Sequence, residues 1–240
     1  MRKLLVMSNK GGVGKTTVAV NLSLLLSEEN PTGLLDIDLH GPDAPRLLGL
    51  QKTEIKTQKH KLVPVKFNPN LYVMSLDFLI DKNRAVMWRG PLKTKAIQQL
   101  INDVLWPELD FLVIDLPPGT GDELITIMQM MRNSGSIIVS TSQAVSVEDA
   151  KRVINMSRSF DIPIIGLIEN MSGEIFGSGK VEELAEKENI AFLGRLSLDK
   201  TVSNSLETGK PFILNKGTKS AKEFENITKN IKKMIKGAMD

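Results

Sequence analysis

A glycine-rich stretch near the amino terminus constrains this chain more than any other feature. Residues 8–17 read Ser-Asn-Lys-Gly-Gly-Val-Gly-Lys-Thr-Thr, directly after the apolar run 4–7 and before an apolar helical pattern. A strand, a glycine turn and a helix start in that order form a phosphate cradle, because backbone N–H groups and the helix N-terminus converge on one point. The chain is therefore expected to bind a nucleoside triphosphate.

Each residue of this loop has an expected task. Lys15 is expected to reach the outer phosphates and to be catalytic, and the hydroxyl of Thr16 is expected to bind Mg²⁺. Glycines are needed because any side chain would hold the phosphates away from the backbone. The predicted nucleotide-binding residues of the loop are Gly11, Gly12, Val13, Gly14, Lys15, Thr16 and Thr17.

A second lysine distinguishes this loop from the common spelling G-x-x-x-x-G-K-[ST]. Asn9 replaces the first glycine, and Lys10 follows it. Asparagine tolerates positive φ better than most residues, so the turn can still form. Lys10 is either a solvated loop lysine or a catalytic residue. The second interpretation is favoured, because the string resembles the deviant P-loop class x-K-G-G-x-G-K-[ST], in which this lysine reaches phosphates bound by a second subunit.

Acidic residues follow two other apolar runs, and one of them precedes a rigid Pro-Pro-Gly. Ligands bind at the carboxyl edge of parallel strands, so we expect these acids beside the phosphate loop. Asp115 is expected to hold Mg²⁺ through water, Asp38 to orient the attacking water, and Asp36 is a further metal candidate. The Pro-Pro-Gly that follows is expected to form a switch, with the Gly119 N–H sensing the terminal phosphate.

Apolar runs typical of buried strands alternate with helical patterns along the whole chain. Most runs are continuously apolar, as expected when helices cover both sheet faces. The alternation predicts an α/β fold with a mostly parallel twisted sheet of about seven to eight strands and helices on both faces. Strands are predicted at 3–8, 33–36, 71–76, 111–115, 136–141, 163–169 and 190–193, and helices at 16–27, 84–105, 122–133, 146–160, 180–188 and 221–235. Residues 51–70 are predicted to be a loop or short hairpin, and residues 1–240 one domain.

Composition excludes several functional classes. The 240 residues contain no cysteine, which excludes disulfides, thiolate nucleophiles and thiolate ligands for metals or clusters. The net charge of +3 is too small to indicate nucleic-acid binding by itself, so nucleic acid is not an expected partner. No run of about 18 apolar residues occurs, so no membrane span is expected and a cytoplasmic location is predicted.

The last predicted helix, 221–235, is amphipathic and basic. It places Phe224, Ile227, Ile231 and Met234 on one face and leaves lysines largely on the others. Such a helix either docks its apolar face on the sheet or contacts a membrane surface. Docking is the favoured interpretation, because exposed lysines are common on docked helices.

These motifs together resemble a known family, the Mrp-like ATPases, which are iron–sulfur cluster carriers of the MinD/Mrp group of deviant P-loop proteins. The resemblance covers nearly the whole chain. It implies a P-loop NTPase fold of the SIMIBI type that binds ATP and Mg²⁺, and a homodimer in which Lys10 of each subunit reaches the other's nucleotide. The segments that carry it are 9–17, 34–50, 88–91, 110–122, 169–172, 175–177 and 194–199.

The resemblance also bears on the base and on the cluster. Asn170 matches the position whose amide reads adenine in related ATPases, and an amide can both donate and accept on a base edge. Family members that carry clusters usually have a Cys-x-x-Cys after the segment 169–172, whereas here residues 171–174 lead straight into 175–177. Because these clusters need thiolates, no iron–sulfur cluster is expected from cysteine ligands.

Three functions follow from these observations. The first is a Mg²⁺-dependent, slow ATPase that works as a dimeric switch on an unidentified protein client or assembly factor. The second is a positioning ATPase like MinD or ParA, binding membrane or DNA in its ATP state, with the basic last helix as its support. The third is a small-molecule kinase or ligase on the same loop, for which the sequence offers no evident acceptor site.

Overall fold

A computed structural model describes residues 1–38, 41–79 and 90–237. Its strands are β1 (Arg2–Met7), β2 (Thr32–Asp36), β3 (Thr57–Gln58), β4 (Lys61–Leu62), β5 (Val65–Lys66), β6 (Leu71–Ser75), β7 (Phe111–Asp115), β8 (Ser134–Ser140), β9 (Ile164–Ser172) and β10 (Phe192–Ser197). Its α-helices are α1 (Lys15–Ser27), α2 (Ala44–Leu47), α3 (Gly90–Asn102), α4 (Asp122–Met130), α5 (Ala144–Ser159), α6 (Lys180–Glu188), α7 (Lys200–Thr208) and α8 (Lys219–Gly237). Turns of 3₁₀ helix lie at Leu76–Leu79 and Phe212–Leu214.

The main sheet has eight strands in the order β10-β9-β8-β1-β7-β2-β6-β5. Neighbouring strands are parallel except β5, which pairs antiparallel with β6 at one edge. Helices lie between successive parallel strands, as crossover connections require. The predicted α/β class, the mostly parallel sheet and its strand number are confirmed.

Helices cover both faces of the sheet, which explains why its strands are apolar without interruption. In β1, Leu4 and Val6 belong to one core with α1, α2 and α8, whereas Leu5 and Met7 belong to the other with α3 to α6. Successive side chains of a strand point to opposite faces, so a strand covered on both sides needs apolar residues at every position.

Helix α1 is held almost entirely inside the protein. Each of its residues except Thr16 is buried, since it packs on β2 and β7 and is covered by α8 and the turn Phe212–Leu214. Asn21 ties it to that turn, because its Oδ1 accepts a hydrogen bond of 3.2 Å from the N–H of Ile213. The helix that begins at the phosphate loop therefore has a rigid setting.

Helix α8 docks on the sheet through its apolar face, as predicted. Phe224, Ile227 and Ile231 are buried, and the Phe224 ring meets Phe212 edge to face at 5.6 Å. The prediction was wrong at one position: Met234 is 40% exposed, and the buried residue of the last turn is Ile235. Among the helices of the described ranges, none combines the length and apolar character that a bilayer-crossing segment requires.

Several segments differ from the sequence prediction. Residues 51–70 contain the hairpin of β3 and β4, as expected, but also β5, which was not predicted. Helix α7 was not predicted either; Asp199 caps it by accepting the N–H of Val202 at 2.9 Å. The strand expected at 190–193 begins and ends later, as β10. Of the helix expected at 84–105, residues 84–89 lie outside the described ranges, α3 is observed at Gly90–Asn102, and residues 103–105 are not helical. The helix expected at 122–133 is α4, which ends earlier, at Met130.

Candidate functional site

The carboxyl ends of β1, β7 and β2 lie side by side at one edge of the sheet. Asp115, the last residue of β7, is in register with Val6 of β1 and with Asp36 of β2. The loops that leave these strands therefore start at the same level. This arrangement brings residues 8–14, Asp38 and the Pro-Pro-Gly of 117–119 together, as expected for ligand sites of parallel sheets.

The phosphate loop depends on glycine at two positions with left-handed backbone. Gly12 has φ +78° and Gly14 has φ +87°, which L side chains rarely adopt. At Gly14 the space is also closed, because an added Cβ would lie 2.1 Å from Asn170 Nδ2. The absence of a side chain at Gly14 therefore leaves room for the amide of Asn170 beside the loop backbone.

Lys15 is the first residue of α1 and lies between two carboxylates. Its Nζ is 3.5 Å from Asp38 Oδ2 and 3.8 Å from Asp115 Oδ1, and the side chain is only 6% exposed. A buried ammonium requires compensating negative charge. The two carboxylates supply that charge, so the fold brings Lys15, Asp38 and Asp115 together at the start of the helix that follows the phosphate loop.

The donor set at Asp115 fits a magnesium ion. Thr16 donates a hydrogen bond of 2.5 Å to Asp115 Oδ2, while the buried Asp115 Oδ1 has no hydrogen-bond partner among the described residues. Mg²⁺ prefers oxygen ligands and is usually held by one or two carboxylates together with phosphates and water. Within the described ranges no group of three or more His, Cys, Asp or Glu side chains forms a cage for a metal. The ligands available are thus those of a metal bound together with a nucleotide.

Burial controls the protonation of the two strand-end acids. Burial raises the pKa of Asp115 to about 6, although the Lys15 charge and the Thr16 hydrogen bond oppose the rise. Burial, followed by repulsion from Asp115, raises the pKa of Asp36 well above its ordinary value. With a pKa of about 6, Asp115 is mostly ionised at pH 7 and mostly protonated at pH 5, and a cation beside it would favour the ionised form.

Asp36 has a structural role in this arrangement. Its Oδ1 accepts the N–H of Asp38 at 3.1 Å, and its Oδ2 accepts the N–H of Ala44 and the hydroxyl of Ser75, both at 3.1 Å. These bonds hold the start of the loop after β2 and so position Asp38. A ligand role for Asp36 remains a prediction, and the magnesium fit rests on Thr16 and Asp115.

Three other predicted site residues lie around the same loop. Lys10 is exposed, next to the exposed Gly11. The N–H of Gly119 donates to Ser8 O at 3.2 Å, so its contact with a phosphate requires that this bond break. Asn170 is 2% exposed at the end of β9, and its Nδ2 donates to Val13 O at 2.8 Å. The structure thus brings strand ends β1, β2, β7 and β9 to one site.

Some residues of this region were not found by sequence reasoning. Asp149 of α5 accepts a hydrogen bond of 2.7 Å from Asn9 Nδ2 and so anchors the phosphate loop from outside. Glu169 is buried beside Asn170 and accepts several hydrogen bonds. Asp149 is 140 residues from Asn9 in the chain, so no local pattern could connect them. For Glu169, the signal was an acid at the end of the apolar run 164–168.

Solved structures with this fold include nucleotide-binding proteins. A nucleotide-binding protein from Archaeoglobus fulgidus, solved in complex with ADP, is 34% identical with a TM-score of 0.77, covering 88% of this chain and 87% of that one. The septum site-determining protein MinD from Pyrococcus horikoshii, complexed with Mg-ADP, has a TM-score of 0.77 at 22% identity and covers 98% and 97% of the two chains. At that identity the likeness to MinD concerns the fold alone.

Sequence comparison extends the likeness to the whole chain. An iron–sulfur cluster carrier protein of Methanocaldococcus jannaschii is 42% identical over 248 residues, which covers 98% of this chain and 85% of the relative. Residues 1–232 match the model of the ParA family described as NUBPL iron-transfer P-loop NTPase. The resemblance to iron–sulfur cluster carriers inferred from the motifs is confirmed. This chain belongs to the NUBPL-type iron-transfer P-loop NTPases, as a member without cysteine.

Proposed function

We propose that residues 1–240 form a single Mg²⁺-dependent ATPase domain that hydrolyses ATP slowly. The observation that carries this proposal is the position of Lys15 at the phosphate loop, within 4 Å of both Asp38 and Asp115. A cation and two carboxylates at the mouth of a glycine loop supply what phosphoryl transfer needs, namely positioned charge and an oriented nucleophile. The ADP complex of the Archaeoglobus fulgidus relative supports nucleotide binding at such a loop.

Each residue of the site has a task in this proposal. Residues 11–17 bind the phosphates through backbone N–H groups, and Lys15 holds the outer ones. Asp38 orients the attacking water by accepting its hydrogen bond. Thr16 and, through water, Asp115 would hold Mg²⁺, which would neutralise charge on the phosphates. The N–H of Gly119 leaves Ser8 O and donates to the terminal phosphate, which links hydrolysis to the movement of the Pro-Pro-Gly segment.

Lys10 acts on a second copy of the chain in this proposal. Lys10 is exposed beside the loop, next to the exposed Gly11. A cation supplied in trans stabilises the charge that develops on the transferring phosphoryl group, as an arginine finger does. We infer that two copies close over their nucleotides and open again after hydrolysis.

The partner in this proposal is an iron–sulfur assembly factor or client protein. The Methanocaldococcus jannaschii relative is named as an iron–sulfur cluster carrier, and the family description is iron transfer. Thiolate ligation does not fit the present chain, which has no cysteine. We therefore propose that ATP hydrolysis here drives a conformational change in a partner, and that the cluster is held by that partner's ligands.

A steady-state ATPase assay combined with light scattering tests the proposal. We expect slow phosphate release that requires Mg²⁺ and stops with a chelator, and a mass that doubles when ATP is bound. Equilibrium dialysis without nucleotide uptake, or a permanent monomer saturated with ATP, would contradict the proposal. Anaerobic reconstitution followed by an iron count tests the cluster statement, and iron retained by this chain alone would refute it.

A membrane-positioning function has less support from the geometry. The apolar face of α8 packs in the core, where Phe224, Ile227 and Ile231 are buried, so it is not available to insert into a membrane. Its exposed lysines alone would give only a weak, salt-sensitive attraction to anionic lipids. Co-sedimentation with anionic vesicles, with and without ATP, separates the two functions, and ATP-dependent pelleting would favour the positioning alternative.

A further inference from the structure

Glu169 is a buried acid to which the proposed chemistry gives no task. Its side chain is 0% exposed near the carboxyl end of β9. Its Oε1 accepts a hydrogen bond from Arg195 Nε at 2.6 Å, and its Oε2 accepts one from Ser142 Oγ at 2.6 Å. Oε2 also accepts the backbone N–H groups of Gly179 at 2.9 Å and Val181 at 3.3 Å. One carboxylate therefore connects β9 to β10, to the loop after β8 and to the start of α6.

These bonds keep the carboxylate ionised in spite of its burial. Burial raises the pKa of Glu169, but the hydrogen bonds from Ser142 and Arg195 outweigh it, and the pKa lies below its ordinary value. The hydrogen bond to Glu169 in turn raises the pKa of Arg195. A buried charge persists only where partners compensate its lost hydration. Neutralising Glu169 would therefore loosen the segments that it joins.

Glu169 and Asn170 act on opposite faces of the same strand end. Side chains alternate along a strand, and Leu167 and Ile168 accordingly belong to the two different cores of the protein. Glu169 contacts the start of α6 on one face. On the other face, Asn170 donates to Val13 O of the phosphate loop at 2.8 Å. Because Asn170 directly follows Glu169 in the strand, the bonds that anchor Glu169 also restrict where the amide of Asn170 can lie.

The backbone directly after Asn170 is strained. Met171 has φ +56°, in the left-handed region that residues other than glycine rarely adopt. Such a conformation persists only when its surroundings hold it, and it is concentrated at functional sites. Here the Glu169 network holds the chain before Met171, and the N–H of Leu198 holds it afterwards by donating to Ser172 O at 3.0 Å.

We propose that Glu169 is a positioning residue of the nucleotide site, which holds the amide of Asn170 against the purine base through Arg195, Ser142 and the start of α6. Its contribution is to the affinity and selectivity for the base. The phosphate loop keeps two anchors that do not involve Asn170, from Asn9 to Asp149 at 2.7 Å and from the Ser8 hydroxyl to Lys10 O at 2.9 Å, so we expect the phosphate contacts to change much less. This inference rests on the proposed nucleotide binding and on the predicted contact of Asn170 with adenine.

The variant Glu169→Gln tests the inference when ADP, GDP and inorganic tripolyphosphate are titrated separately with Mg²⁺. We expect the dissociation constant for ADP to rise about tenfold and the preference for ADP over GDP to fall by a similar factor. The dissociation constant for tripolyphosphate, which has no base, should stay within about twofold of the wild type. A role confined to stability would weaken all three ligands alike.

A milder variant and a matched control accompany this experiment. Ser142→Ala removes one hydrogen bond to Glu169, together with the bond that the Ser142 hydroxyl accepts from the N–H of Lys180 at 3.2 Å. It should weaken ADP binding about threefold with the same pattern, which keeps the test decisive where Glu169→Gln does not fold. Glu182→Gln removes the other partner of Arg195, an acid with a 46% exposed side chain, and should leave all three affinities unchanged.

The outcomes separate this inference from the proposed function. A Glu169→Gln protein with wild-type affinity for ADP, or with ADP and tripolyphosphate weakened equally, overturns the role of Glu169 while leaving nucleotide binding intact. A wild-type protein that binds ADP and GDP equally removes the base contact of Asn170, and the inference with it. A wild-type protein that binds no nucleotide overturns the proposed function itself.

Discussion

The hydroxyl of Thr16 lies 2.5 Å from Asp115 Oδ2, although the two residues are 99 positions apart in the chain. This contact joins the first turn of α1 to the last residue of β7. It places the two expected magnesium ligands in direct contact and leaves the other carboxylate oxygen of Asp115 without a hydrogen bond among the described residues. The fold thus brings together the two residues proposed to hold Mg²⁺, with Asp115 Oδ1 facing Lys15 Nζ at 3.8 Å.

Replacing Thr16 by Ala should abolish the Mg²⁺-dependent part of hydrolysis. The loss of one oxygen ligand should lower the turnover number about 100-fold or more, because charge stabilisation on the phosphates depends on the metal. Nucleotide binding in the presence of a chelator should be unchanged. Thr126→Ala is the matched control, since the Thr126 hydroxyl only donates to Asp122 O within its own helix. Equal turnover in both variants would contradict the assignment.

Magnesium-nucleotide affinity should fall as the pH drops through 6. Burial raises the pKa of Asp115 to about 6, so at pH 5 most molecules carry the protonated acid, whereas the metal requires the ionised form. We expect Mg²⁺·ADP to bind about tenfold more weakly at pH 5 than at pH 7.5. A parallel titration of ADP with a chelator corrects for other ionisations. A pH dependence of the same size in both titrations would refute the prediction.

Replacing Lys10 by Ala should impair hydrolysis far more than binding. A charge supplied in trans is worth about 10³-fold or more in rate, whereas Lys15 and the backbone N–H groups still hold the nucleotide. Turnover and ADP affinity are measured in the same preparation. Lys216→Ala is the control, because Lys216 is an exposed lysine that pairs with Glu28 at 3.1 Å. Unchanged turnover in the Lys10 variant would remove the trans-acting role.

Gly14 and Gly11 offer a matched pair for a stability measurement. At Gly14, φ is +87° and an added Cβ would lie 2.1 Å from Asn170 Nδ2, so Gly14→Ala should lower the free energy of unfolding by about 1–3 kcal/mol. At Gly11 nothing lies within 4 Å of an added Cβ, so Gly11→Ala should change it by less than about 0.5 kcal/mol. Urea unfolding of the two variants checks the difference, and equal values would contradict it.

Because α8 packs against the core through its apolar face, substitutions on that face should lower the free energy of unfolding. Phe224 is fully buried against Phe212, so Phe224→Ala should lower the free energy of unfolding by about 3–5 kcal/mol. Met234 in the same helix is 40% exposed, and Met234→Ala should cost less than about 1 kcal/mol. Similar losses in both variants would indicate that the apolar face lies elsewhere.

The sequence was sufficient for those features that have a local physical cause. The glycine loop needs a strand before it and a helix after it. This requirement was enough to predict β1 before the loop and α1, which begins with Lys15, after it. Asp115 could be placed at the same edge because it ends an apolar run in an alternating strand–helix pattern. The continuous apolar character of the runs was enough to predict a sheet covered on both faces.

Other features depend on pairings that no local pattern encodes. β5 is two residues long, and its pairing with β6 is determined by the neighbouring chain rather than by its own residues. Residues 200–208 are largely polar, so α7 lacks the apolar periodicity that indicates a helix. The contacts of Asn9 with Asp149 and of Glu169 with Arg195 arise only when distant segments pack together.

The strand order determines when, during synthesis of the chain, all parts of the proposed nucleotide site are present. The proposed nucleotide site takes the phosphate loop from β1, Asp38 after β2, Asp115 from β7 and Asn170 from β9, and these strands lie apart in sequence. During translation the loop emerges early, but the side chain that contacts it across the sheet emerges only at residue 170. If ATP binds as proposed, its tight capture requires the finished sheet, and the bound ligand would stabilise chains in which the long-range parallel pairing is complete.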